Sequence, residues 1–179
     1  MTHNLNGTEL KRLHRDWRRR TDSKLALLLD GVQNPFNLGS ILRSAAAWGV
    51  DHLWMVGAPS PNDSKVNKTA LGSQRFLRWT ACETSAEALD GARAAGYRIV
   101  GIELATGATP LFDVPLDGDV CLAIGHEDRG LSATLLDGAD AIAYLPLTGK
   151  IGSLNVAMAT TVALWEVRRA EWSDPDSQP

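Results

Sequence analysis

LPLTGKIGSLNVAMATTVALW, residues 145–165, decides how this chain is read. An apolar strand runs into a glycine-punctuated loop, and Ser153-Leu154-Asn155 then opens a long Ala/Val/Leu helix. Two small polar side chains and the unpaired N–H groups of a helix start therefore stand where a strand ends. IGHEDRG (124–130) and NPFNLGSILRSA (34–45) repeat that design. Three strand-loop-helix junctions with polar residues at the turn predict one composite site at the carboxyl ends of a parallel sheet.

Working outward, the apolar runs are LALLLDGV (25–32), HLWMVG (52–57), YRIVGIEL (97–104), VCLAIG (120–125) and AIAYLPL (141–147). They are short, continuous and rich in branched residues, as strands buried on both faces are. RFLRWT (75–80) is a candidate sixth strand. Helical patterns separate them at 38–48, 64–71, 85–95, 132–136 and 153–169. Alternation of this kind predicts an α/β domain over 23–171, its parallel sheet flanked by helices. Residues 1–22 read as a basic helical arm and 172–179 as a disordered tail.

The 179 residues suffice for one domain with a full core, and 44% hydrophobic with 22% charged residues is ordinary for a globular protein. No run reaches the roughly 18 apolar residues of a membrane span. The polar, basic start has no apolar signal core, so a cytoplasmic location is expected. Cys82 and Cys121 lack metal-ligand spacing, and His3, His14, His52 and His126 are scattered, so no metal site is expected. Neither a Gly-rich phosphate loop followed by Lys-Ser/Thr nor G-x-G-x-x-G is present, which argues against a P-loop NTPase or an ordinary dinucleotide fold.

The net charge of −3 hides an asymmetry. Residues 1–78 carry 12 Lys/Arg against 6 Asp/Glu, and the remainder carries 6 against 15. Lys11, Arg12, Arg15, Arg18, Arg19 and Arg20 fall within ten residues, opposed only by Asp16. Leu10, Leu13 and Trp17 recur at helical spacing, as on any solvated amphipathic helix, but this charge density favours a polyanion such as nucleic acid.

Each junction admits a plain reading and a functional one. Asn37 reads as a helix N-cap or as a site residue. Arg43, set among Ile41, Leu42, Ala45, Ala46 and Ala47, calls for an anion or a carboxylate partner. Gly125 would let a ligand approach the strand end and Gly130 would allow a tight turn, with Glu127 between them either a ligand acceptor, a tether for Arg43 or a solvated turn carboxylate. Ser153 reads as an N-cap, and Asn155 needs partners if buried.

Taken jointly and in order, NPFNLGSILRSA, IGHEDRGLS and LPLTGKIGSLNVAMA resemble the three motifs of the SpoU (TrmH-like) RNA 2′-O-ribose methyltransferases of the SPOUT superfamily, over about residues 25–169. The resemblance implies S-adenosylmethionine as methyl donor, a C-terminal trefoil knot and a homodimer. It implies catalytic or substrate-binding roles for Asn37, Arg43, Glu127, Ser153 and Asn155. It implies a donor site along Glu103, Leu104, Ala105 and Thr106, along Ile124, Gly125 and His126, and along Leu145, Leu147 and Leu154. The few residues before the first strand look more like the transfer-RNA-modifying members than the ribosomal ones, with guanosine 18 as the expected target. Two alternatives stay open: an RNA-binding protein without catalysis, and a flavodoxin-like nucleotide or flavin binder whose polar turn residues are only caps.

Overall fold

The computed structural model describes residues 2–173. The apolar runs are strands: β1 (Leu25–Asp30), β2 (His52–Val56), β3 (Arg78–Cys82), β4 (Arg98–Ile102), β6 (Val120–Gly125) and β7 (Ala141–Tyr144), together with a two-residue β5 (Thr109–Pro110). They form a seven-stranded sheet in the order β3-β2-β1-β6-β4-β7-β5, and every pairing is parallel. Six helices accompany it among the described residues: α1 (Gly7–Arg19), α2 (Pro35–Ala47), α3 (Ser64–Ala70), α4 (Ser85–Ala94), α5 (Ala133–Gly138) and α6 (Val156–Ser173).

Strand periodicity divides each apolar run between two cores. Leu25, Leu27 and Leu29 of β1, with Val120, Leu122 and Ile124 of β6, face α2, α3 and α6. Ala26 and Leu28, with Cys121 and Ala123, face α4 and α5. Every residue of β1 and β6 is buried, which explains why neither run shows polar alternation.

α2 is held hard against α3 because residue 39 is glycine. A β-carbon there would overlap Thr69 Oγ1 and the Val66 carbonyl. Ser44 Oγ and Thr161 Oγ1 hydrogen-bond at 2.7 Å and join α2 to α6. Arg168, only 3% exposed, donates to the carbonyls of Trp48, Gly49 and Ser23 and pairs with Glu171 at 2.9 Å. One buried guanidinium thus ties the end of α2 and the start of β1 to α6, with its donors used as a buried charge requires.

Several boundaries depart from the sequence reading. The strand expected at 75–80 begins at Arg78, and 73–76 is a single 3-10 turn. α6 starts later than Ser153 and runs through Trp172 and Ser173, which the sequence reading assigned to the tail. Trp172 is held in place: it stacks on Trp17 at 4.7 Å and donates from Nε1 to Thr21 Oγ1 at 3.0 Å. Residues 174–179 of the expected tail lie outside the described residues. Among the described residues no helix is long and apolar enough to cross a membrane.

Candidate functional site

The strand order places β6 between β1 and β4, so the loop leaving β6 emerges centrally among the carboxyl ends. That loop folds on itself. His126 N donates to the Gly130 carbonyl at 3.0 Å, and Gly130 N returns the bond at 2.9 Å. Gly130 sits at φ +66, a conformation that suits glycine. Two carboxylates from the flanking strands brace it. Asp30, buried at the end of β1, accepts from Ser132 N at 2.8 Å and from Ser85 Oγ at 2.6 Å. Glu103, just past β4, accepts from Leu131 N at 2.9 Å.

The braced loop presents Glu127 to the first junction. Its carboxylate accepts from Asn37 Nδ2 at 3.1 Å, from Asn34 N at 3.1 Å and from Gln33 N at 3.3 Å. Asn37 Oδ1 in turn accepts from Asn155 Nδ2 at 3.0 Å. Asn155 Oδ1 accepts from Ala157 N at 2.9 Å and Met158 N at 3.4 Å, which caps α6. A carboxylate only accepts and helix N–H groups only donate, so both amides in between are oriented by necessity. Three distant segments become one polar chain: Glu127, Asn37, Asn155 and the start of α6.

Burial alone pushes the Glu127 carboxyl up. The Asn37 side chain and the backbone N–H groups of Glu127, Asn34 and Gln33 together outweigh it, and the carboxyl ends below its ordinary range. A depressed carboxyl contributes stability that is fully present above the unfolded value, about 4.3, and is lost as pH falls through the folded one. Glu127→Gln is therefore expected to cost about 1 kcal/mol at pH 7, and the gap to the native protein should narrow by pH 3. Urea midpoints at the two pH values check this, and a gap of constant size would refute it.

Beside this chain lies a cavity of about 410 Å³. Its walls come from the ends of β4, β6 and β7 and from the loop before α6. Glu103, Leu104, Ile124, Gly125, His126, Leu145, Leu147, Ser153 and Leu154 line it, as does Glu127. Ala105 and Thr106 do not; they belong to a turn closed by Ala108 N donating to the Ala105 carbonyl at 3.1 Å. Asp128, Arg129, Tyr144 and Gly152 also line it, though nothing in their spacing marked them. A β-carbon at residue 125 would overlap the backbone of Gly130 and Leu131, so the loop can close over β6 only where that residue is glycine.

The geometry decides between readings that the sequence leaves open. The N-cap of α2 is Asn34, not Asn37, which leaves the Asn37 amide to bond across the site. The N-cap of α6 is Asn155 rather than Ser153. Asn155 is exposed, so burial is not what fixes its partners. Arg43 is exposed on α2 and belongs to none of the ion pairs among the described residues, and Glu127 bonds Asn37 instead of tethering it. Its apolar neighbours Ile41, Leu42 and Ala45 face the core, whereas Arg43 shares the outward side with Phe36, Ser40 and Ala47, which leaves an anion rather than a carboxylate as its partner.

The basic arm is a helix with no buried residue, so Lys11, Arg12, Arg15, Arg18 and Arg19 are all exposed. Arg20 caps its end and lies over the Trp17 ring at 5.2 Å. Its anchor is Trp172, seventeen residues or roughly 25 Å along α6 from Asn155, so the anchor and the polar chain sit at opposite ends of that helix. No group of three or more His, Cys, Asp or Glu side chains among the described residues could hold a metal ion.

The description SpoU rRNA Methylase family matches residues 24–165, which span all three junctions and every residue of the polar chain. The chain belongs to the SpoU family. It is 38% identical over 149 residues to the 23S rRNA (guanosine-2′-O-)-methyltransferase RlmB of Xanthomonas axonopodis, covering 81% of this chain and 58% of that protein. Among solved structures it resembles the SpoU methyltransferase AviRb of Streptomyces viridochromogenes in complex with AdoMet, at 32% identity and TM-score 0.78, covering 86% of this chain and 63% of the other. A structure described by the 2-OH methylation of C/U34 on tRNA is similar at 27% identity and TM-score 0.72, covering 83% of this chain and 96% of the other. The SpoU chain described here spans about three fifths of the length of the curated relatives it matches.

Proposed function

We propose that this chain transfers a methyl group from S-adenosylmethionine to a ribose 2′-hydroxyl of RNA. The observation that carries this reading is the hydrogen-bonded chain Glu127–Asn37–Asn155 standing beside the cavity at the carboxyl ends of β4, β6 and β7. The cavity suits the donor: its volume is that of a small-molecule site, its walls set Ile102, Leu104, Ile124, Leu145, Leu147 and Leu154 among charged and polar side chains, and Gly125 keeps the backbone close. The backbone and leucines of 103–104, 124–126, 145–147 and 153–154 would hold it. When bound, S-adenosylmethionine supplies an electrophilic methyl group on a sulfonium.

The chain's own residues position the acceptor. Ser153, at the cavity wall, orients the ribose by its hydroxyl. Asn155 and Asn37 fix the loop that carries it, and Glu127 fixes them. Glu127 is a poor base, because its carboxyl is depressed and three donors occupy it. Arg43 is exposed and has no carboxylate partner among the described residues, so its guanidinium is free to bind an RNA phosphate and align the hydroxyl with the methyl group. The basic arm adds phosphate contacts farther out.

A homodimer belongs to this reading, as does the trefoil knot implied by the family motifs. Leu154, just before α6, and Met158, Val162 and Trp165 on it are each 41% to 57% exposed, and α6 meets α2 through Thr161 on Ser44 and Trp165 on Trp48. Such a face is what a second copy would cover. Val162→Glu is expected to give a monomer by analytical ultracentrifugation and to lose most activity. A variant that remains a dimer would rule this face out.

Ribosomal RNA is the substrate class favoured by the 38% identity to RlmB. Transfer RNA is the alternative class, supported by the 27% identity to the structure described by methylation of C/U34 on tRNA, which speaks for the RNA class and not for guanosine 18. Either substrate suits a cytoplasmic protein. The deciding experiment incubates the protein with labelled donor and either total ribosomal RNA or total transfer RNA, then maps the ribose-methylated nucleotide by mass spectrometry. Donor binding without transfer to either RNA would overturn the catalytic reading.

A further inference from the structure

The segment from α3 into the following turn carries a surface that neither the cavity nor the polar chain uses. Phe76 is 69% exposed and Leu71 is 67% exposed, the latter at φ 51, ψ 39. A leucine seldom adopts the left-handed conformation, which is normally left to glycine or asparagine. Here Asn67 holds it. Its carbonyl accepts from Leu71 N at 3.0 Å, and its Oδ1 accepts from Gly72 N at 3.0 Å and from Gln74 Nε2 at 3.2 Å. The turn is built to push an apolar side chain outward, not to hide it.

Charge points the same way. The guanidinium of Arg75 lies over the Phe76 ring, 4.7 Å from its centroid. Lys65 and Lys68 stand exposed on α3, and none of these three cations forms an ion pair among the described residues. Between residues 64 and 78 there is no Asp or Glu. An open aromatic face with a stacked guanidinium and unopposed lysines is the combination that binds single-stranded nucleic acid: bases stack on the ring and phosphates meet the cations. A protein partner suited to Leu71 and Phe76 would meet three uncompensated charges.

The surface is also fixed relative to the site. Thr69 Oγ1 donates to the Phe36 carbonyl at 3.0 Å, one residue before Asn37, and Gly39 lets α3 press against α2. We propose that Phe76, with Arg75, Leu71, Lys65 and Lys68, is a base-stacking platform that holds an unpaired nucleotide of the RNA substrate to one side of the methylated ribose. This rests on the RNA reading above. It implies a substrate whose strand is single-stranded, a loop or bulge, next to the target.

The test uses the whole protein and three fluorescent ten-nucleotide probes: oligoadenylate, the same backbone with abasic sites, and an RNA duplex. Phe76→Leu keeps apolar bulk without an aromatic face. It should weaken oligoadenylate binding about tenfold, leave the abasic probe within twofold, and raise KM for RNA with little change in kcat. Phe76→Trp should restore binding. Lys65→Ala with Lys68→Ala should weaken oligoadenylate and abasic probe alike and lower the salt dependence. Donor affinity by calorimetry should not move in any variant. If Phe76→Leu binds and methylates like the native protein, the platform is wrong while the methyltransferase reading stands. A variant that binds all probes normally but changes the sedimentation coefficient makes the surface a protein contact and overturns the proposal. If the native protein binds donor yet neither binds nor methylates RNA, both readings fall together.

Discussion

Arg43→Ala should lower RNA methylation by a factor on the order of 10³ or more while the protein folds and binds donor normally. The size follows from the role. A charged donor aimed at a substrate phosphate in the transition state typically contributes a factor of 10² to 10³, and misalignment of the hydroxyl adds to the loss. The absence of a folding effect follows from exposure. Arg43 is on the outward side of α2 and pairs with no carboxylate among the described residues, so truncation should leave stability within about 0.5 kcal/mol. Arg43→Lys should recover only part of the rate, because an ammonium lacks the planar fork that grips phosphate. Single-turnover rates with saturating donor, beside calorimetry for donor affinity, separate these effects. Full activity in Arg43→Ala would remove this residue from the reaction.

Gly125→Val should abolish donor binding. Residue 125 ends β6, and even one β-carbon would collide with the backbone of Gly130 and Leu131. Backbone atoms cannot rotate away as a side-chain tip can. The loop would have to lift, and its bonds to Asp30 and Glu103 oppose that. Lifting it would carry away Glu127, and with it the anchor for Asn37. A loss of donor affinity of at least about 100-fold is expected, read by calorimetry, with Gly125→Ala affected less. Tight donor binding by Gly125→Val would show that the loop is not held as described. The two variants also test one another. If Arg43 serves the partner's site across the α6 face, mixing Arg43→Ala with Gly125→Val subunits restores activity in the mixed dimers. If it serves its own subunit's site, the mixture stays inactive.

Much of this arrangement could be read from the residues. Buried parallel strands leave continuous apolar runs, so five of the seven strands stood out. The short β5 could not, since two residues form no pattern. The order of the strands was not legible either, because pairing depends on crossovers and no local residue records it. The cap of α2 was legible without being singled out: Asn34 precedes Pro35, and proline suits the first helical position. The partners of Asn37 were hidden, because its bonds reach residues 90 and 118 positions away. Asp30 could have been found as a carboxylate closing an otherwise aliphatic strand, LALLLD. Glu103 as the second brace left no such trace.

α6 works as a spacer with a fixed phase. Its first turn belongs to the polar chain through Asn155, and its last turn grips the arm through Trp172. Each added or deleted residue between them would swing one end about 100° around the axis relative to the other. Related chains should therefore vary in length here only in steps of about seven residues, which is two turns. Any other step would turn the arm to a different direction relative to the polar chain.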